Sequence, residues 1–240
     1  MTGWSGQHGS DLPREFTSQR TGDRRVVRVE VRADVAAADR ENLRAQLGGI
    51  DWHRLRHAYG SADDVPALLY AVTLGTEDVR RDAWWELWGN VHHQGTVYEA
   101  TPACVPFLTQ IAADAAHPER VNALAFLRFI AVGDGEHAAA TRAAVGGQIP
   151  SLLVGCEEQP ELVQRALLLL ASAFPAHLAQ HPGLPSLLPP EHQAAWTQLL
   201  EAGGNPEALP YSDDDFDVQD RQSELESWAF AGWHEPAGEG

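Results

Sequence analysis

The chain has 240 residues, 44% of them hydrophobic, which is long enough and apolar enough to bury a core. Its formal net charge is −17, from 34 acidic residues and 17 basic residues that are all arginine. No run approaches the roughly 20 apolar residues that span a bilayer, which argues against a transmembrane helix. Residues 1–19 lack the basic start and apolar stretch of a secretory signal, so we expect a cytoplasmic protein.

The acidic charge is unevenly distributed along the chain. Residues 1–60 carry ten arginines and eight acids, whereas residues 61–240 carry seven arginines and 26 acids. Such a surface repels phosphate backbones and attracts cations, so we expect no nucleic-acid partner and a basic protein partner. Solubility alone also accounts for acidity of this kind and needs no partner.

The N-terminal residues 1–38 are predicted to form a flexible tail or irregular arm. Residues 1–23 are polar and aperiodic, which is typical of disorder. Val27, Val29 and Val31 then alternate with charged residues, which predicts a short strand, although the sequence shows no strand to pair with it. Short helices are predicted over 39–47 and 51–59.

From residue 61 the pattern predicts one helix after another. Thr76 and the pair Thr101-Pro102 are typical of helix starts. The predicted helices cover 63–74, 76–90, a segment from 101, 118–133, 136–156 with a break near Gly146 to Pro150, 160–174, 176–180 and 191–202. Residues 206–240 are predicted to be an acidic C-terminal segment that docks in part, since its hydrophobic side chains need burial. These are Phe216, Leu225, Trp228, Phe230 and Trp233.

The helices repeat in pairs with a period near 40 residues. The first helix of each pair carries an apolar residue and then proline, at Pro66, Pro106 and Pro150. The second carries a valine, and four positions later a small or apolar residue. These pairs are Val79 with Ala83, Val121 with Ala125, and Val163 with Leu167. Stacked helical hairpins bury a core that one hairpin cannot, and this period is typical of HEAT and armadillo arrays. We therefore predict an all-α fold with a short α-solenoid over 39–205.

Two segments add a resemblance to that pattern. Residues 78–83, Asp-Val-Arg-Arg-Asp-Ala, resemble the Val-Arg…Ala stretch in the second helix of HEAT repeats. A longer segment resembles uncharacterised bacterial HEAT-repeat proteins. Its matching residues are Trp88, Gly89, Asn90, His93, Gln94, Gly95, Thr96, Tyr98, Ala100, Thr101, Val105, Pro106, Phe107 and Leu108. The resemblance implies an armadillo-like fold in a bacterial protein. It implies nothing about activity.

The segment from Trp84 to Pro102 is the richest collection of polar and aromatic side chains in the chain. It supplies the candidate residues for binding a ligand or partner: Trp85, Asn90, His92, His93, Gln94, Thr96 and Tyr98. Connections between helices often carry binding residues. The alternative is that these side chains satisfy the unpaired carbonyls and amides at the ends of two helices.

Other signals in the sequence are weaker. His53 and His57, like His177 and His181, have the i,i+4 spacing of metal ligands, but no third ligand follows, so no metal or cofactor is predicted. The acidic run 213–217 lacks the glycine and distal glutamate of a calcium loop. Cys104 and Cys156 are expected to be small buried hydrophobic residues.

Three functions remain open from the sequence. The first is a non-catalytic binding or scaffold protein whose acidic solenoid engages another protein, and an immunity or antitoxin role is one form of it. The second is an enzyme or small-molecule-binding protein that uses the segment from Trp85 to Tyr98, since helical-repeat folds do not exclude catalysis. The third is a structural module without a site. No catalytic motif is present, so we favour the first.

Overall fold

The computed structural model describes residues 14–204 and 223–231, and this part of the chain is mostly α-helical with little strand. The predicted all-α class is therefore confirmed. The chain divides into two compact units. Unit 1 comprises the described residues up to 93 together with 98–103, and unit 2 comprises 94–97 and the described residues from 104 onwards.

Unit 1 begins with an antiparallel hairpin, β1 (Glu15–Ser18) and β2 (Arg25–Arg28), followed by helix α1 (Ala37–Gly48). A second small hairpin pairs β3 (Arg56–His57) with β4 (Gly60–Ser61). Helices α2 (Val65–Leu74) and α3 (Glu77–Val91) pack against each other, and the first hairpin contacts both of them. After α3 comes the short strand β5 (His92–His93).

The chemistry of α2 and α3 explains where they form. Pro66 lies in the first turn of α2, where its missing N–H costs nothing. Nine of the ten residues of α2 are buried, so it is the central helix of unit 1. Thr76 precedes α3 in an extended conformation, which ends one helix and starts the next.

Two predictions for the N-terminal part are wrong. Residues 14–23 are ordered, because Glu15–Ser18 supplies the partner strand that the sequence does not reveal. Residues 51–59 do not form a helix but a short 3-10 turn, Trp52–Arg54, and the strand β3. Trp52 is buried and its Nε1 donates to the Leu47 carbonyl at 2.9 Å, a side-chain bond to the end of α1 that a helix over 51–59 does not predict.

Unit 2 contains strand β6 (Thr96–Val97) and most of helix α4 (Thr101–Ala113), which begins in unit 1. Its further helices are α5 (Arg120–Val132), α6 (Ala138–Gly146), α7 (Ile149–Leu152), α8 (Glu161–Ser172), α9 (Pro175–Leu178), α10 (Gln193–Glu201) and α11 (223–229). Helix α5 packs against both α6 and α8. Phe216 and Trp233 of the predicted C-terminal segment lie outside the described residues.

The repeated core positions are only partly equivalent. Val79 and Val163 are each 6% exposed, whereas Val121 is half-buried. Val121 is the second residue of α5, so it lies at the helix end rather than over the core. Ala83, Ala125 and Leu167, one turn further on, are all buried.

Candidate functional site

A hydrogen-bonded network in unit 1 centres on the carboxylate of Asp64. One oxygen, Oδ1, lies 3.0 Å from His57 Nε2 on β3, and the other, Oδ2, accepts from Asn90 Nδ2 at 2.9 Å. Asp64 directly precedes α2, and Asn90 is in the last turn of α3. The network therefore ties the β3–β4 hairpin and both helices together.

The proton position on His57 follows from its neighbours. The backbone amide of Tyr59 donates to His57 Nδ1 at 3.0 Å, so Nδ1 is an acceptor and the proton is on Nε2. Nε2 then donates to Asp64. Both ring nitrogens are used within the protein, so His57 supports the hairpin and offers no free base for catalysis.

An aromatic surface adjoins this network in unit 1. Tyr59 is 68% exposed, and its hydroxyl lies 3.2 Å from His93 Nδ1, with the two rings 5.4 Å apart. On α3, Trp88 makes an edge contact with His92, and Trp85 is 58% exposed. These side chains could contact a partner, but they do not enclose a reacting group.

Thr101 joins the end of α3 to the start of α4. Its hydroxyl donates to the carbonyl of Val91 at 2.5 Å and accepts from the amide of Tyr98 at 2.8 Å. Val91 is the last residue of α3, so its carbonyl has no helical partner. This geometry favours a connector role for the segment, in which one threonine satisfies two backbone groups.

The unit 2 part of the segment forms its own set of bonds. Thr96 Oγ1 donates to Asp134 Oδ1 at 2.6 Å, and the Asp134 backbone bonds to Gly95 and Val97. Gln94 is exposed and has a positive φ of 51°, as a tight turn requires. The structure thus places Trp85, Asn90, His92, His93 and Tyr98 in unit 1, and Gln94 and Thr96 in unit 2.

Sequence reasoning misses several residues that organise the segment. Asp64, His57 and Tyr59 surround Asn90 and His93, and Asp134 binds Thr96. The Thr101-Pro102 pair indicates a helix start, but it does not reveal that the threonine hydroxyl closes the connection. The other partners have no local signal, since Asp64 precedes Asn90 by 26 positions and Asp134 follows Thr96 by 38.

The described residues give no support for a metal centre or a reactive thiol. Within 14–204 and 223–231, no group of three or more His, Cys, Asp or Glu side chains could hold a metal ion. His53 faces Asp63 while His57 faces Asp64. Cys104 and Cys156 are both buried and unbridged, and burial, together with Glu157, raises the pKa of the Cys156 thiol. The acidic run 213–217 lies outside the described residues.

The described arginines of unit 2 point inwards. Arg142 donates to the carbonyls of Ala131 and Gly203, at 3.3 and 3.0 Å, and to that of Ala173. Ala131 lies in the last turn of α5, and the other two follow the ends of α8 and α10. Helix C-termini carry unpaired carbonyls and partial negative charge, so one guanidinium stabilises three of them.

The other described arginines of unit 2 are likewise engaged or buried. Arg120 donates to the Ala112 carbonyl and to Gln159, Arg165 donates to the Trp228 and Ala231 carbonyls, and Arg128 is fully buried. Nine of the eleven described acids of unit 2 are exposed instead. They are Asp114, Asp134, Glu136, Glu157, Glu158, Glu161, Glu191, Glu201 and Glu224.

Fold and site together define a mostly helical protein in which the described part of unit 2 exposes carboxylates and turns its arginines inwards. Comparison of the chain with protein-family models, with curated proteins and with solved structures finds no match. None of the described helices combines the length and the apolar character that crossing a membrane requires.

Proposed function

We propose that this is a non-catalytic binding protein that engages a basic protein partner through the acidic surface of unit 2. The observation that carries the proposal is the placement of charge: four described arginines of the unit are turned inwards or buried, while nine carboxylates are exposed. The exposed charged groups of the described part of unit 2 are therefore more one-sidedly negative than the residue count implies. Such a surface favours association with cationic partners.

One stretch of unit 2 combines this charge with an apolar contact. Val154 is 76% exposed, and the carboxylates of Glu157, Glu158 and Glu161 follow it within seven positions. Protein interfaces commonly place apolar groups centrally with polar groups around them. We name Val154, Glu157, Glu158 and Glu161 the acidic patch and propose it as the first contact for a basic partner.

The architecture we propose for the binding surface is a short HEAT-like solenoid. Its support is the period near 40 residues and the direct packing of α5 on α8, which are the second helices of successive predicted pairs. Solenoids stack repeats into extended surfaces that bind proteins. We propose a cytoplasmic setting for this interaction.

A small-molecule or catalytic site at Trp85 to Tyr98 is the weaker proposal. The polar side chains of Asn90 and Thr96 are hydrogen-bonded to carboxylates of the protein itself, and His93 Nδ1 lies beside the Tyr59 hydroxyl. Side chains committed in this way have less capacity to bind a ligand. Trp85 and Tyr59 remain exposed and suit contact with a protein surface.

A titration with a synthetic arginine-rich peptide tests the electrostatic part of the proposal. The variant Glu157→Gln/Glu158→Gln/Glu161→Gln removes three exposed charges from the acidic patch of unit 2. The control Asp63→Asn/Glu77→Gln/Asp78→Asn removes three exposed charges from unit 1. We expect about tenfold weaker peptide binding for the first variant, a change of less than about threefold for the control, and loss of the difference at about 1 M salt, where charges are screened. Equal weakening by both variants would refute a specific role for unit 2.

A further inference from the structure

The short helix α11 is seated on unit 2 by a small set of contacts. Leu225 and Ala229 are buried on its inner face. Arg165 of α8 donates to the carbonyls of Trp228 and Ala231 at 3.0 and 2.9 Å, and its guanidinium lies 5.8 Å from the centre of the Trp228 ring. Both carbonyls lie at the C-terminal end of α11, where the helix dipole favours a positive charge. At the other end, His192 Nδ1 lies 3.0 Å from Glu224.

A buried arginine lies within electrostatic reach of the same helix. Arg128 of α5 is 0% exposed, and none of its three guanidinium nitrogens has a hydrogen-bond partner. Burial lowers its pKa to about 10, opposed by the charge of Glu226 on α11 and reinforced by that of Arg142. A buried guanidinium without hydrogen bonds is costly, since it has given up water and gained no acceptor.

We propose that the face of unit 2 occupied by α11 is a binding site for an acidic amphipathic helix of another protein, which displaces α11 and places a carboxylate on Arg128. The helix already seated there shows the required pattern: two apolar residues four positions apart, with a carboxylate between them. An incoming carboxylate that reaches Arg128 gains a charge-assisted, two-pronged hydrogen bond that α11 does not make.

Two physical features make α11 the element that exchanges. It has seven helical residues, and helices of this length are marginal without packing. Arg128, within electrostatic reach of Glu226, also has no hydrogen-bond acceptor while α11 is docked, so the docked state does not satisfy this guanidinium. Local opening of such segments precedes global unfolding in many proteins. This site would take an acidic partner and is distinct from the acidic patch, which would take a basic one.

Thiol labelling measures whether α11 opens by itself. In the variant Ala229→Cys, the new thiol is on the buried face of α11, and the buried native Cys104 and Cys156 serve as internal references. A buried thiol reacts only when its surroundings open, so its labelling rate reports local opening. We expect the thiol at position 229 to react at least about 100-fold faster than Cys156. Leu225→Cys repeats the measurement at the second buried position. Labelling of both positions at the rate of the native cysteines would mean that α11 opens only with the whole unit, and would overturn the proposal.

A peptide titration tests the chemistry of the partner. A labelled peptide of residues 223–231 is titrated against the full chain and against its Trp228→Ala variant, whose own α11 is more weakly seated. We expect about tenfold tighter binding to the variant. The free peptide, unlike the connected α11, can shift along the face until Glu226 reaches Arg128, so we expect about tenfold weaker binding when the peptide carries Glu226→Gln. The full-chain variant Arg128→Met should bind both peptides equally, and it should fold, since replacing a buried unpaired charge by an apolar group is often neutral or stabilising. Equal binding of the Glu and Gln peptides to the chain with Arg128 intact would contradict the proposal.

Discussion

The Asp82 carboxylate on α3 accepts a hydrogen bond from Arg20 Nε at 2.7 Å, across 62 positions of sequence. Arg25 of β2 binds the second oxygen of the same carboxylate. Asp82 is buried, so two arginines of the N-terminal hairpin neutralise one interior charge. This pairing explains why the arginine-rich hairpin of residues 15–28 is held against α3.

Replacing Asp82 by asparagine should destabilise unit 1. Asp82→Asn keeps the size of the side chain but removes the charge that Arg20 and Arg25 require. We expect the free energy of unfolding to fall by about 1–3 kcal/mol, the range for a charged hydrogen bond in a partly buried site. The matched control is Asp78→Asn on the same helix, 91% exposed, which should change it by less than about 0.5 kcal/mol. Urea unfolding measures both, and equal effects would show that the pairing contributes nothing.

The same pair predicts how stability depends on pH. Burial works to raise the pKa of Asp82, but hydrogen bonds and charges from Arg25 and Arg20 outweigh it and lower the pKa below its ordinary value of 3.8. Ionised Asp82 therefore stabilises the fold above about pH 3.8, and this contribution is lost as the pH falls through the folded-state pKa. The stability difference between the native chain and Asp82→Asn should shrink below pH 3.8. A difference that stays constant down to about pH 2 would contradict this assignment.

Two valines at the same position of the sequence repeat should respond differently to substitution. Val163→Asp places a charge at a buried position of α8 and should cost about 3–5 kcal/mol. Val121→Asp, at the half-buried start of α5, should cost less than about 2 kcal/mol, since its carboxylate can reach water. The sequence repeat alone predicts equal costs. Thermal melts of the two variants show whether burial or repeat position determines the loss of stability.

Thr101 should matter more for stability than His93. Thr101→Val removes the hydroxyl that bonds the Val91 carbonyl and the Tyr98 amide, and should cost about 1–3 kcal/mol through buried unpaired groups. His93→Ala removes a partner of the exposed Tyr59 hydroxyl and should cost less than about 1 kcal/mol. The reverse order in thermal melts would show that the segment is held together by its histidine and not by its threonine.

The regular helices can be predicted from the sequence because their signals are local. Pro66 in the first turn of α2, Thr76 before α3 and the glycines near 146–147 mark boundaries within one or two residues. The N-terminal hairpin cannot be predicted in the same way. β1 has four residues, only Phe16 and Ser18 of which are buried, and the order of the hairpin depends on Asp82, far away in sequence.

The candidate segment stands out by its composition, but its geometry depends on distant residues. Asn90 and Thr96 each bind a carboxylate that no pattern in the segment indicates, Asp64 in one case and Asp134 in the other. The inward direction of the arginines is also invisible in a residue count, since Arg128 and Arg142 have the same formal charge as an exposed arginine. The net charge thus gives the sign of the surface charge, but it understates how far acids outnumber arginines among the exposed side chains.

A capture experiment with matched variants tests most directly whether the acidic surface of unit 2 binds a basic protein. Lysate of the source cell is passed over the immobilised native chain, over Glu157→Gln/Glu158→Gln/Glu161→Gln, and over Asp63→Asn/Glu77→Gln/Asp78→Asn. We expect a retained protein of net positive charge that is lost with the unit 2 variant and kept with the unit 1 variant. Retention that survives neutralisation of the acidic patch, or a retained protein of net negative charge that depends on it, would contradict the proposed function.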